Sequence, residues 1–160
     1  MAEYRKQRLF AYAGEDRVYS TGDAPVVVQI HGVRVAPFIC FDLRFPELFR
    51  TVSPRLDMIA LIANWPATRR VHWDVLTQAR AIENQCYMVA VNRTGEGGGV
   101  SYRGGSAAYG PFGDTLARTD VETDAAVIVD VDSAEVTRVR SEYPFMADSR
   151  PSHSLSPCRL

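Results

Sequence analysis

Lysine is all but missing from this chain. Lys6 is the only one in 160 residues, and arginine carries the rest of the positive charge. A solitary lysine inside a motif is a better functional candidate than one of a dozen solvated lysines, although solvated lysine is the ordinary case. An excess of either charge is also lacking: 18 Lys+Arg stand against 19 Asp+Glu. That balance indicates neither a nucleic-acid footprint nor a polyanionic partner. Cysteine is scarce, with Cys40, Cys86 and Cys158 widely spaced and no CxxC pair. The odd count argues against a disulfide framework, a zinc site or a thioredoxin-like motif. His31, His72 and His153 lie far apart without cysteine or carboxylate company at ligand spacing. No metal and no cofactor are expected. Long apolar runs are absent, and the polar start Met-Ala-Glu-Tyr-Arg-Lys has no signal-peptide character. The cytoplasm is the expected compartment, with no membrane partner.

What the chain does contain is organised around Val33-Arg-Val-Ala-Pro-Phe-Ile-Cys40-Phe-Asp-Leu-Arg-Phe-Pro-Glu47. The apolar, β-branched start reads as a buried strand that stops at Cys40. Asp42 and Arg44 follow, and Pro46 suits the first turn of a helix. A strand ending in a thiol and turning sharply into a helix presents a nucleophile well. Amide groups of the turn can lower the thiol pKa and receive a developing oxyanion. The competing reading is a small buried apolar residue, the usual fate of a free cysteine.

The rest of the chain alternates strands with helices, which argues for one α/β domain over residues 1–150 and a Pro/Ser-rich tail over 151–160. Val26 to Ile30 and Val33 to Ile39 read as strands joined through His31-Gly32, a hairpin signal. Pro46 to Thr51 reads as a short helix, and Asp57 to Ile62 as a strand covered on both faces. Asn64-Trp65-Pro66 ends that strand, where an α/β sheet often places its site. His72 to Asn84 has helical spacing, with Trp73, Leu76, Ala79 and Ile82 along one side. Tyr87 to Val91 is the next strand, and Glu96-Gly-Gly-Gly99 is expected to be a flexible loop, with no phosphate cradle. Ser106 to Tyr109 and Thr115 to Arg118 flank the turn Gly110-Pro-Phe-Gly113. Ala125 to Val131 is expected as the last strand, and Ser133 to Arg140 as a short amphipathic segment.

Ile39-Cys-Phe-Asp-Leu-Arg-Phe-Pro-Glu47 resembles the nucleophile motif of the nitrilase superfamily, the carbon–nitrogen hydrolases. Tyr4-Arg-Lys6-Gln-Arg-Leu-Phe10 and Arg80-Ala-Ile-Glu-Asn-Gln85 are similar to segments of its ω-amidase-like branch. These three separated motifs come in the right order, and the likeness runs from about Tyr4 to about Pro151. It implies an α-β-β-α sandwich, in which two such domains usually pack together as a homodimer. It implies hydrolysis of a small-molecule amide through a cysteine thioester, with release of ammonia.

By the same resemblance, Cys40 matches the nucleophile and Lys6 the oxyanion-stabilising lysine. Glu15 matches a second glutamate that orients the lysine; as a bare residue it reads as solvated loop charge. Phe41 offers the amide just after the nucleophile. Asn64 and Trp65 match a segment lining the substrate pocket, with core packing as the competing role for Trp65. Tyr102 to Ser106 resembles a segment forming a wall of the site. Arg44, Glu47, Arg80 and Glu83 are expected to form a structural charge network, since unpaired buried charge is costly. Arg69 or Arg93 could hold a distal carboxylate of the substrate. The family's general-base glutamate lies well before its lysine. Only Met1 to Arg5 precede Lys6 here, so that glutamate has no counterpart and the sandwich is expected to be incomplete at its N-terminal side. Two rivals to the enzyme are a non-catalytic binding remnant and a redox-sensing thiol protein. The second is disfavoured by the lack of a nearby resolving cysteine.

Overall fold

The computed structural model describes residues 2–119 and 124–148. Its centre is a six-stranded sheet in the order β1-β2-β3-β4-β7-β8. Strand β1 (Val28–Ile30) and strand β2 (Val33–Ile39) form the expected hairpin. His31 and Gly32 take φ of 47° and 88° in the turn, the left-handed pair that matches the twist of the strands. Strands β2, β3 (Met58–Ala63) and β4 (Tyr87–Asn92) run parallel. Parallel neighbours need crossovers. Here these are a short helix α1 (Pro46–Val52) and a longer helix α2 (Arg70–Asn84). Strands β7 (Ala107–Tyr109) and β8 (Thr115–Arg118) complete the sheet in antiparallel fashion.

One face of this sheet carries the core. Successive side chains of a strand point to opposite faces, so Ala36 and Phe38, Ile59 and Leu61, and Met88 and Ala90 all point one way, and all are buried. Leu48, Phe49 and Val52 of α1 and Trp73 and Ala81 of α2 join them in one cluster. The ring of Phe38 lies 4.1 Å from that of Phe49.

Helix α2 buries a different line from the one hydrophobicity suggested. Trp73, Thr77, Arg80, Ala81 and Asn84 face inward, whereas Ile82 is exposed. The three buried polar side chains each reach a carbonyl. Thr77 Oγ1 donates to Trp73 O at 2.8 Å, Arg80 Nη2 to Leu43 O at 2.8 Å, and Asn84 Nδ2 to Arg80 O at 2.9 Å. A buried polar side chain with partners costs little, so a hydrophobic count selects the wrong stripe.

The opposite sheet face is open. Ile62 pairs with Val91 across β3 and β4, and they are 59% and 51% exposed. The expected α-β-β-α stack is thus represented by one helix layer and one sheet layer. The other sheet among the described residues is a small hairpin, β5 (Thr94–Gly97) with β6 (Val100–Arg103). The glycine stretch expected as a free loop is its turn, with Gly98 and Gly99 at φ of 59° and 75°.

Ala125 to Val131 forms no strand. Its β-branched composition supplies propensity, but a strand also needs a neighbour for its backbone groups. No described strand pairs with it, and Ile128 is 96% exposed. The amphipathic segment is helix α3 (Ser133–Glu142), capped by the Asp132 carboxylate on Ala134 N–H. Arg140 fastens α3 by donating to the carbonyls of Ser53, Leu56, Asn84 and Gln85. The tail 151–160 lies outside the described residues.

Candidate active site

Cys40 stands at the carboxyl end of β2, where the chain leaves the sheet and enters a 3-10 turn over Cys40–Arg44. Its φ is +48°, a left-handed conformation that costs a non-glycine residue of order 1–3 kcal/mol and persists only when the surroundings impose it. The imposing group is Asp42, which is fully buried. Its carboxylate accepts from Ile39 N–H at 3.0 Å, Arg8 N–H at 2.9 Å and the Tyr4 hydroxyl at 2.7 Å. One side chain therefore ties the strand end, the elbow and the Lys6 segment together.

Lys6 enters the same cavity from that segment. Its ammonium donates to Glu15 at 2.5 Å, and its side chain is only 10% exposed. Glu15 is presented by a turn that Gly14 opens at φ 76°, and its carboxylate also accepts from Phe10 N–H at 2.8 Å. Burial pushes the Glu15 carboxyl up, but the Lys6 and Phe10 hydrogen bonds outweigh it and hold the group below the usual range. Glu15 is thus an ionised anchor that fixes a cation.

Burial pushes the Cys40 thiol above its ordinary value, against the opposing pull of the Lys6 charge and a contact to the Asn64 carbonyl. The thiol lies 3.9 Å from that oxygen. Such a thiol needs a base to become a nucleophile. Glu15 is the only carboxylate among the described residues lining the cavity, and it is engaged with Lys6.

The cavity measures about 1290 Å³. It brings together Cys40, Lys6, Glu15, Phe41, Asn64 and Trp65, each singled out in the sequence. Phe41 is the second residue of the 3-10 turn, so its N–H has no acceptor within that turn. Trp65 is 3% exposed and so serves packing and cavity wall at once. Its indole N–H donates to Arg69 O at 2.8 Å.

A carbon-nitrogen hydrolase family model matches residues 1–141. The chain belongs to the carbon-nitrogen hydrolase family. It is 38% identical to omega-amidase YafV of Escherichia coli (strain K12) over 91% of this chain and 57% of that protein. It is 36% identical to the 2-oxoglutaramate amidase of Bacillus subtilis (strain 168), over 92% of this chain and 57% of that one. Among solved structures, a CN-hydrolase superfamily protein from Xanthomonas campestris, XC1258, with an arsenic adduct in its active site, superposes with a TM-score of 0.87. The identity there is 33%, covering 96% of this chain and 61% of that one. The chain therefore spans a little over half the length of these carbon-nitrogen hydrolases.

Several residues of the candidate site escaped the sequence. Asp42 sits inside the nucleophile motif, but nothing in its spacing tells that it caps three donors. Asn92, at the end of β4, accepts from Trp65 N–H at 2.7 Å and donates to Trp65 O and Gly104 O at 3.1 and 2.8 Å. It fixes the wall formed by Asn64 and Trp65. The proposed four-residue charge network divides. Arg80 pairs with Glu83 at 2.6 Å, and Arg8 reaches Glu47 at 3.6 Å. Arg44 turns instead into the cavity, because the tight 3-10 turn rotates it away from α1. Its guanidinium stacks 4.8 Å from the Trp65 ring and donates to His72 Nδ1 at 3.1 Å. Arg93, the alternative carboxylate holder, lies over Tyr102 at 4.6 Å and does not line the cavity.

Proposed function

We propose that this protein hydrolyses small amides through a thioester on Cys40. The observation that carries the reading is the pairing, in one cavity, of a backbone-strained thiol at a strand end with the single lysine of the chain. The thiol loses its proton, and the thiolate attacks the amide carbon to form a C–S bond. The carbonyl electrons move onto oxygen. The Lys6 ammonium and the Phe41 N–H stand where they can receive this oxyanion. The oxyanion collapses, the C–N bond breaks and ammonia leaves with a proton. Water then releases the acid from the thioester and restores the thiol.

Glu15 keeps Lys6 charged and aimed, and a carboxylate so held is a poor base for a thiol raised by burial. Glu15 is therefore assigned to holding Lys6, and not to the proton transfers that the family's glutamate performs. The relatives' names supply the substrate class: ω-monoamides such as 2-oxoglutaramate. The reading carries with it a cytoplasmic homodimer that needs no cofactor.

A second reading is favoured by the open apolar face at Ile62 and Val91: a catalytically impaired form acting by binding a partner. Ammonia release from 2-oxoglutaramate separates the two. Release abolished by Cys40→Ala and by Lys6→Met supports the amidase. A folded protein that releases none, and forms no thioester detectable by intact mass, supports the second.

A further inference from the structure

Three strand ends stand side by side at the carboxyl edge of the sheet. Ile39 pairs with Ile62, and Ala63 with Asn92, so the ends of β2, β3 and β4 set Cys40, Asn64 and Asn92 in a row. The thiol meets the end of β3 through a main-chain group, the Asn64 carbonyl, 3.9 Å from the sulfur. A carbonyl has no rotamer of its own, and its direction is that of the planar peptide unit it belongs to. The other end of the same unit is the Trp65 N–H. That N–H donates to Asn92 Oδ1 at 2.7 Å. The plane that faces the thiol on one side is therefore gripped by Asn92 on the other.

Asn92 holds the next peptide unit as well. Its Nδ2 donates to Trp65 O at 3.1 Å and to Gly104 O at 2.8 Å. One acceptor and two donors are thus required of a single buried side chain, and an amide supplies both. A carboxylate would turn a lone pair toward two carbonyls, and an apolar residue would strip three main-chain groups of these partners. The main chain of Asn92 is clamped in turn by Ser106, whose Oγ accepts from Asn92 N–H at 3.0 Å and donates to Asn92 O at 3.3 Å. The grip therefore has a fixed base. Asn92 itself stands behind the cavity wall and does not line it.

We infer that Asn92 is a positioning residue for the Cys40 thiol, acting through the Asn64–Trp65 peptide unit that both of them touch. By fixing the direction of the Asn64 carbonyl it fixes where the sulfur rests and the line along which it attacks. Small misplacements of a reacting atom are costly, because the rate depends on near-attack geometry. The same contact bears on the proton of the thiol. Burial pushes the thiol up, while the Lys6 charge and then a backbone hydrogen bond with Asn64 pull it down. Loosening the unit should therefore move the reactivity of the thiol to higher pH. The consequence for turnover rests on the amide-hydrolase reading, whereas the consequence for thiol reactivity does not.

The experiment compares Asn92→Ala and Asn92→Ser with the parent and with Val139→Ala. Val139 is buried on α3, which Arg140 ties to the carbonyls of Ser53 and Leu56 ahead of β3, at the opposite edge of the sheet. It controls for loss of stability alone, and urea midpoints put the variants on one scale. Alkylation by iodoacetamide is followed across pH on the Cys40 peptide by mass spectrometry, and kcat and KM are measured for 2-oxoglutaramate. Asn92→Ala should move the alkylation profile to higher pH. It should lower kcat by about ten- to a hundredfold, the scale of a misplaced reacting group, with KM changed by less than about threefold. Asn92→Ser, which leaves the smaller void, should show the same pattern and carries the comparison if the Ala variant does not fold. Val139→Ala should change neither the profile nor kcat. Alkylation profiles in the Asn92 variants that superpose on the parent's overturn the inference, as does an equal shift in Val139→Ala or a loss confined to KM. A shifted profile in a parent and variants that release no ammonia from any amide defeats the hydrolase reading and leaves Asn92 as the positioning residue of a reactive thiol.

Discussion

Cys40 and Cys86 are the two cysteines among the described residues, both free, and both next to a parallel strand of the same mixed sheet. Cys86 precedes β4 at the amino edge. It has no exposure, and burial pushes its thiol up to about 12. Cys40 follows β2 at the carboxyl edge, half-buried at the floor of a cavity, with the Lys6 charge offsetting part of the cost of burial. The comparison teaches that burial alone makes a cysteine inert. A cation, an opening and a strained backbone are what distinguish the candidate nucleophile.

The largest expected effect comes from exchanging the two thiols for alanine. Cys40→Ala should lower amide hydrolysis by at least about four orders of magnitude, as nucleophile removal does. Cys86→Ala should leave kcat within a few-fold but cost about 0.5–3 kcal/mol of stability. Ammonia-release kinetics and urea denaturation of both variants check this. A catalytic loss in Cys86→Ala larger than in Cys40→Ala would dissolve the distinction.

Lys6→Met should cost about two to three orders of magnitude in kcat, the usual loss on removing an oxyanion donor. It should also move the pH profile of Cys40 alkylation by iodoacetamide to higher pH, because the lysine's lowering influence is gone. An unshifted profile would separate Lys6 from the thiol.

Asp42→Asn tests the elbow. The amide keeps one acceptor oxygen but places an NH₂ against backbone donors. A loss of about 1–3 kcal/mol is expected from the unsatisfied groups, read as a lower denaturation midpoint. A drop in kcat exceeding the rise in KM would identify Asp42 as positioning the thiol rather than binding substrate.

A last effect appears only at alkaline pH. The Cys86 pKa is higher folded than unfolded, so the folded state holds its proton longer. Stability is fully present below about 9 and declines as pH rises toward about 12. Melting temperatures across that window should fall less steeply in Cys86→Ala than in the parent.

Much of the fold was legible before any coordinates. Runs such as Val33 to Ile39 and Asp57 to Ile62 are apolar enough to be strands under almost any packing, and Pro46 marks a helix start by its fixed φ. The inward line of α2 was not legible, since it depends on carbonyl partners for Thr77, Arg80 and Asn84 that come from distant turns and from the helix itself. The Ala125 to Val131 segment failed as a strand for the converse reason: propensity is local, but a ladder needs a neighbour.

The site divides in the same way. The order of residues in the chain determined the chemical inventory: one lysine, one thiol at the carboxyl end of a strand, and a glutamate nine residues past the lysine. It determined these because residue type and motif order are written in the chain. Tertiary structure alone decided that Asp42 would hold the elbow and Asn92 the Trp65 wall. It also decided that Arg44 would leave the expected charge network and face the cavity beside Arg69. Those outcomes depend on which side of a tight turn a long side chain leaves by, and on which distant backbone groups are left without partners. Only packing fixes either one.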